Sequence, residues 1–392
     1  MNNDELQILG TEKRKSNTWK WIVAAVCVVL LAISFILYNR CSSTDNSLPM
    51  SQEGTTISPA LQHAADSLLN DKLTEINGLQ GQVIIMNVQT GEILAMAGRE
   101  RNFEGKFQPC ENFAYQQELG SLMKTASLLA ALETGKVKLS DVVDTGNGVW
   151  EIDEERIFKD HNWRRGGYGE MTLGQTLEVS SNIGIGKTIW NLYKGHEQDY
   201  FNKLDSMSFG QPSIIEGIEG LRPSIYNSPK DSDWVNKDVI WSSIGYNRKI
   251  TPIQMLTFYN AIANNGKMVK PTLAPGTTEI INKQIAKSDN VALMQQALEH
   301  VVSQGLGRLA GSDRIKIAGK TGTSQVNEYY EGDNTVSEYQ LAFCGYFPAD
   351  KPQYSMIVSL NKLGLPASGG GMAGDAFHNI VEWMIDKGMT NK

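Results

Sequence analysis

Residues Ser121 to Gly135, SLMKTASLLAALETG, decide how the rest of the chain is read. The stretch follows Gly120 and is apolar almost all round, the pattern of a buried helix that ends at a glycine. Lys124 is the anomaly in it, one turn from the start and flanked by Leu122, Met123, Ala126 and Leu128. Residues three apart share a helix face, so Lys124 can reach the hydroxyl of Ser121. Burial and nearby positive charge lower a lysine pKa, and the positive end of the helix dipole acts in the same direction. Bringing an ammonium to neutrality near pH 7 costs about 4 to 5 kcal/mol. A lysine tuned in this way is a general base for a serine that is otherwise a poor nucleophile. Ser121 and Lys124 are therefore candidate catalytic residues.

Ser-x-x-Lys also arises by chance, and the chain repeats it at Ser359-Leu360-Asn361-Lys362. That copy falls on an expected strand, where residues three apart point to opposite faces and cannot cooperate. Two further polar elements stand out. Ser180-Ser181-Asn182 interrupts the apolar helical pattern of LEVSSNIGIG and, taken alone, reads as a helix-capping turn. Lys320-Thr321-Gly322-Thr323 follows the alternating segment IKIA. A glycine inside a strand marks a close approach by a ligand or another backbone, although a bulge beside a surface lysine gives the same pattern.

The surrounding pattern predicts an α+β fold with a five-stranded antiparallel sheet. Gln82 to Val88, a turn at Gln89-Thr90-Gly91-Glu92, and Ile93 to Ala97 read as a hairpin. Arg314 to Ala318, Leu341 to Phe347 and Tyr354 to Leu360 supply three more short apolar strands. A helix from Ser58-Pro59, with Leu61, Ala64, Ala65, Leu68 and Leu69 on one face, and a C-terminal helix stopped at Gly388 cover one side of the sheet. The middle, about Gly120 to Gly305, is mostly helical and reads as an insertion, with one helix opening at Thr251-Pro252 and another capped by Ser288.

A net charge of -7 over 392 residues argues against a nucleic-acid-binding face, which needs clustered Lys and Arg to neutralise phosphates. The four cysteines and five histidines are scattered without metal-ligand spacing, so no metal or cofactor is implied. Trp21 to Tyr38 is uncharged and, as 18 helical residues, spans about 27 Å, close to a bilayer's hydrocarbon thickness. Lys13, Arg14, Lys15 and Lys20 precede it and only Arg40 follows closely, which orients the N-terminus to the cytoplasm. The expected organisation is a cytoplasmic tail (1–20), a single transmembrane anchor (21–38), a flexible tether (39–57) and an exported domain (58–392), periplasmic on the cytoplasmic (inner) membrane.

Taken in order, Ser121-x-x-Lys124, Ser180-x-Asn182 and Lys320-Thr321-Gly322-Thr323 form the set found in penicillin-binding proteins and class A β-lactamases. From about Gln82 to Trp383 the chain resembles the transpeptidase domain of penicillin-binding proteins, especially the monofunctional class B enzymes. The resemblance also takes in QVIIMNVQTGEILAMAG, MTLGQTLEVSSNIG, IGYNRKITPIQM, AIANNGKMVKP and IAGKTGTSQV. It implies that Ser121 attacks a peptidoglycan stem peptide ending in D-Ala-D-Ala, with Lys124 as its base and Ser180 as the proton relay to the leaving amine. It implies that Asn182 holds the lysine and substrate backbone, and that Lys320 sustains the proton network. It further implies that Thr321, Gly322 and Thr323 form the substrate-binding strand, the two threonines taking the terminal carboxylate, and that the N–H groups of Ser121 and Thr323 form the oxyanion hole. β-Lactams are the expected inhibitors, and a cell-wall glycosyltransferase is a candidate partner whose identity the sequence leaves open.

The chain departs from the family pattern in two places. About forty residues separate Tyr38 from Gln82, where class B relatives usually carry a sizeable non-catalytic domain, so partner contacts of that kind and a bifunctional enzyme are not expected. Glu118-Leu119-Gly120 stands where the family often has Pro-Gly before the serine. A class A β-lactamase needs Glu-x-x-Leu-Asn, which is missing, and Asn182 disfavours class D. A D,D-carboxypeptidase shares every residue named, and a non-catalytic membrane-tethered sensor of β-lactam or peptidoglycan is the remaining alternative.

Overall fold

The structure is a computed structural model and describes residues 54–390 apart from 155, 332 and 333. The expected tail, anchor and most of the tether lie outside the described residues. Among the described residues, no helix is long and apolar enough to cross a membrane.

The chain builds one antiparallel sheet in the order β4-β5-β6-β1-β2-β3, where β1 is Gly78–Asn87, β2 Ile93–Arg101, β3 Phe107–Pro109, β4 Ala318–Glu331, β5 Asn334–Phe347 and β6 Tyr354–Leu363. The sheet therefore has six strands where five were expected. The additional strand, β3, is three residues long, contains a proline and pairs only with Arg99 to Arg101 at the sheet edge, so it carries no alternation to read. The strand expected at Arg314 to Ala318 is displaced: β4 begins at Ala318 and pairs Ala318 with Tyr346 through Glu331 with Asn334. Its partner ends at Phe347, before Pro348, which has no N–H to extend the ladder. Lys320 to Thr323 are thus strand residues themselves.

Both faces of the sheet are covered. Val83, Ile85, Phe343, Phe347, Met356 and Val358 pack under α1 (Pro59–Glu75) and α6 (Asp375–Asp386), through Leu61, Leu69, Phe377 and Ile380. Their neighbours Ile84, Met86, Ala342, Cys344 and Ile357 point the other way, into the helical middle. Burial on both sides explains why QVIIMNV reads as a continuous apolar run. At the hairpin turn, Asn87 Oδ1 accepts from the N–H groups of Gln89 and Thr90 at 2.8 and 3.0 Å.

The middle region contributes α2 (Met123–Glu133), α3 (Asn182–Tyr193), α4 (Pro252–Ala263) and α5 (Ser288–Ser303). α4 opens with the expected cap: Thr251 Oγ1 accepts from Gln254 N–H, and Gln254 Oε1 accepts from Thr251 N–H. α5 starts one residue earlier than a Ser288 cap implies, with Lys287 at the cap position. Two small ladders, 142–144 with 170–172 and 149–151 with 157–159, also lie in the middle and carry the loop that enters the site.

Candidate active site

α2 is buried along almost its whole length. Ser121 sits on the 3-10 turn Gly120–Leu122 that runs into it, rather than in the α-helix proper. Gly120 adopts φ +52, and a side chain there would press on Thr323 O of β4. From the opposite side, a Cβ on Gly245 (φ +98) would stand 2.1 Å from Gly120 O. Ser324 Oγ donates to Glu118 O at 2.5 Å, which fixes the approach to the turn against the same strand. Half-buried Ser121 is thereby held between β4 and the helical region.

Lys124, one turn further in, is fully buried. Its Nζ donates to Ser180 O at 2.6 Å, Asn182 Oδ1 at 2.6 Å and Ser180 Oγ at 3.2 Å. Burial pushes its pKa down to about 7, against an opposing pull from Asp160. The depression expected from the sequence is present. A direct bond to Ser121 is not among the described contacts of Lys124. Catalytic hydrogen bonds are commonly long before substrate binds and tighten in the complex.

Ser180 takes the left-handed conformation at φ +55, an unusual one for a residue with a side chain. Its oxygen also accepts from Lys320 Nζ at 3.0 Å. Lys320 is fully buried on β4 and donates further to Thr321 O and Thr321 Oγ1, at 3.0 and 3.2 Å. Burial, and then the charge of Lys124, hold its pKa well below the usual lysine value. Lys124, Ser180, Asn182, Lys320 and Thr321 thus form one connected polar group inside an apolar shell.

Gly322 has the close approach expected of a glycine in a strand, since a Cβ there would lie 2.6 Å from Leu119 O. Thr323 is exposed on the strand, its hydroxyl accepting from Gly369 N–H at 2.9 Å. Ser181 is a helix cap, its Oγ accepting from Gly184 N–H at 2.9 Å. The capping and functional readings of Ser180-Ser181-Asn182 therefore divide among the residues. The copy at Ser359 and Lys362 does not assemble: Ser359 Oγ donates to Gln117 Oε1, and Lys362 Nζ to the carbonyls of Gly364 and Pro366.

One buried charge was missed. Asp160 accepts from Ser181 Oγ at 2.8 Å and from the N–H groups of Asn182 and Ile183 at 2.5 and 3.0 Å. A carboxylate at that position complements the positive end of α3 and fixes Asn182, whose Nδ2 also donates to Lys159 O. Nothing in IFKDHNWRRGG marks this aspartate, because the loop has no period and its partners lie 21 to 23 residues away.

The architecture is shared with the apo transpeptidase domain of Burkholderia pseudomallei penicillin-binding protein 3. That match has a TM-score of 0.72 over 86% of this chain and 97% of the other at 22% identity, a likeness of fold. Residues 81–382 match the penicillin binding protein transpeptidase domain family, and the chain belongs to it. Stage V sporulation protein D of Bacillus subtilis is 30% identical over 323 residues, 76% of this chain and 48% of the relative. The peptidoglycan D,D-transpeptidase FtsI homolog of Mesostigma viride is 24% identical over 377 residues, 84% of this chain and 60% of the relative. The chain therefore spans about half of the length of these relatives.

Proposed function

We propose that the chain is a peptidoglycan D,D-transpeptidase that forms stem-peptide cross-links through an acyl-enzyme on Ser121 and is inhibited by β-lactams. The observation that carries this reading is the hydrogen-bonded series Lys124, Ser180, Lys320, in which Lys124 stands three residues after Ser121. Neutral Lys124 takes the Ser121 proton as Oγ attacks the carbonyl of the penultimate D-alanine. The N–H groups of Ser121 and Thr323 receive the developing oxyanion, an arrangement whose loss of one donor typically costs about 3 to 4 kcal/mol. The proton passes through Ser180 to the leaving amine, and the terminal D-alanine departs with its carboxylate on Thr321 and Thr323. An amine of a second stem peptide then attacks the ester and restores Ser121.

The sequence of residues 1–57 supports a cytoplasmic tail, a single membrane anchor and a tether that holds the domain outside the inner membrane. Proteolysis of intact spheroplasts that spares the domain would remove that placement. Labelled penicillin followed by intact-mass analysis tests the chemistry. An adduct on the wild type that disappears in Ser121→Ala is expected, and one that survives the substitution sinks the acyl-enzyme. Cross-linked dimer from stem peptides supports transpeptidation, whereas trimmed monomer alone identifies a carboxypeptidase.

A further inference from the structure

Resting on the transpeptidase reading, we propose that His161 is the general base for the second half-reaction, taking the proton from the incoming acceptor ammonium. An acceptor amine is largely protonated near pH 7 and cannot attack the ester until it loses one proton. His161 lies on a loop whose preceding residues are tied to the site. Before it, Lys159 O accepts from Asn182 Nδ2 at 2.8 Å, and Asp160 binds the start of α3. After it, the chain turns back through Gly166 and Gly167, both at positive φ, and brings Tyr168 OH within 2.9 Å of His161 Nε2. The two rings meet edge-on at 5.7 Å between centroids.

That contact is compatible with the tautomer a base needs. With Nε2–H donating to Tyr168 OH, Nδ1 keeps its lone pair for an incoming N–H. The charged groups around the ring are Asp160, Arg165, Lys124 and Lys320. Burial first, then the three cations, lower its pKa, with only Asp160 opposing. These influences favour the neutral, accepting ring, which feels the charge of the two lysines that serve acylation. In the step itself, one ammonium proton moves to Nδ1, and the freed nitrogen lone pair forms the new C–N bond. The tetrahedral intermediate collapses with cleavage of the C–Oγ bond, the second nitrogen proton passes through Ser180 and Lys124 to Ser121 Oγ, and His161 releases its proton to solvent. The products are the amide and free enzyme.

The test compares acylation with aminolysis in the full chain, using a D-Ala-terminating thioester donor, a D-amino acid acceptor and labelled penicillin. In His161→Gln the partition of the acyl-enzyme to amine is expected to fall on the order of 10²-fold relative to acylation. The low-pH limb of aminolysis should disappear from the remaining rate. Tyr168→Phe should lower the same partition by a smaller factor and shift that limb. Penicillin labelling of each variant confirms that its fold is intact. Equal losses in acylation and aminolysis, an unchanged partition, or a wild type that never transfers to amine would each overturn the assignment. If no penicillin adduct forms on the wild type, the parent reading fails first and this one falls with it.

Discussion

Lys124 and Lys320 converge on a single acceptor, their Nζ atoms lying 3.2 and 3.0 Å from the hydroxyl oxygen of Ser180. Once Lys124 has taken the Ser121 proton it has three N–H groups to give, and an oxygen that accepts from both lysines has both lone pairs engaged, so its own hydrogen is turned outward and available to a leaving amine. Ser180→Ala and Ser180→Gly both remove that hydroxyl, and both should slow penicillin acylation about 10² to 10⁴-fold. They differ in stability. Ser180 has φ +55, a conformation that suits glycine, so the glycine variant should be the more stable of the two by about 1 kcal/mol. Acylation rates with thermal melts check both parts, and a fully active Ser180→Gly removes the relay.

The buried Lys124 ties catalysis and stability to the same titration. With a pKa of about 7, the neutral base accumulates as pH rises, so acylation should be half-maximal near pH 7 and level above it. Lys124→Arg keeps a permanent charge and should abolish it.

The stability consequence has a defined sign. An unfolded lysine titrates near 10.5, so between about 7 and 10.5 the unfolded chain binds the extra proton and stability rises with pH. Below that window the native state carries the full penalty, about 4 to 5 kcal/mol. Lys124→Met should therefore raise the unfolding midpoint more at pH 6 than at pH 9. An equal gain at both pH values would disprove the coupling.

Asp160 opposes the depression of Lys124 and also anchors α3. Asp160→Asn removes the charge while leaving one oxygen for the backbone donors. The low-pH limb of acylation should move below that of the wild type, and stability should fall by about 1.5 to 3 kcal/mol, as expected for lost charged hydrogen bonds. A pH–rate profile and a melting curve measure the two effects. Movement of the limb to higher pH would contradict the electrostatic account.

Gly245 and Gly135 both have positive φ but differ in what surrounds them. A Cβ on Gly245 would stand 2.1 Å from Gly120 O, whereas one on Gly135 meets nothing within 4 Å. Gly135→Ala should cost only about 1 kcal/mol of backbone strain and leave penicillin labelling intact. Gly245→Ala must displace the turn that carries Ser121, so acylation should drop at least about tenfold, as small misplacements of a reacting group do. Labelling kinetics on the pair separate conformational strain from the steric effect.

Local features were the legible ones. The apolar run from Ser121 to Gly135, the turn at Gln89 to Glu92 and the Thr251-Pro252 cap each depend on residues within a few positions of one another. The edge strand β3 and the start of β4 were not legible, because a strand's limits depend on where its partner stops, and Pro348 ends that ladder from another part of the chain. Asp160 was invisible for the same reason: its value lies in three donors that reach it only after α3 has been packed beside the loop.

The sequence by itself determined which groups exist and their order: a serine and a lysine one helical turn apart, a polar trio and a glycine-bearing strand, within an apolar pattern that must bury them. Tertiary structure decided which atoms meet. It put Ser121 on a 3-10 turn ahead of the helix and gave Lys124 to Ser180 and Asn182. Lys320 was brought to the same hydroxyl from β4, and an aspartate from an unmarked loop was bonded to the neighbouring Ser181 and Asn182. Helix periodicity is a property of neighbouring residues and can be read along the chain. Burial, and the pKa depression it causes, belongs to the assembled shell and arises only when distant segments exclude water together.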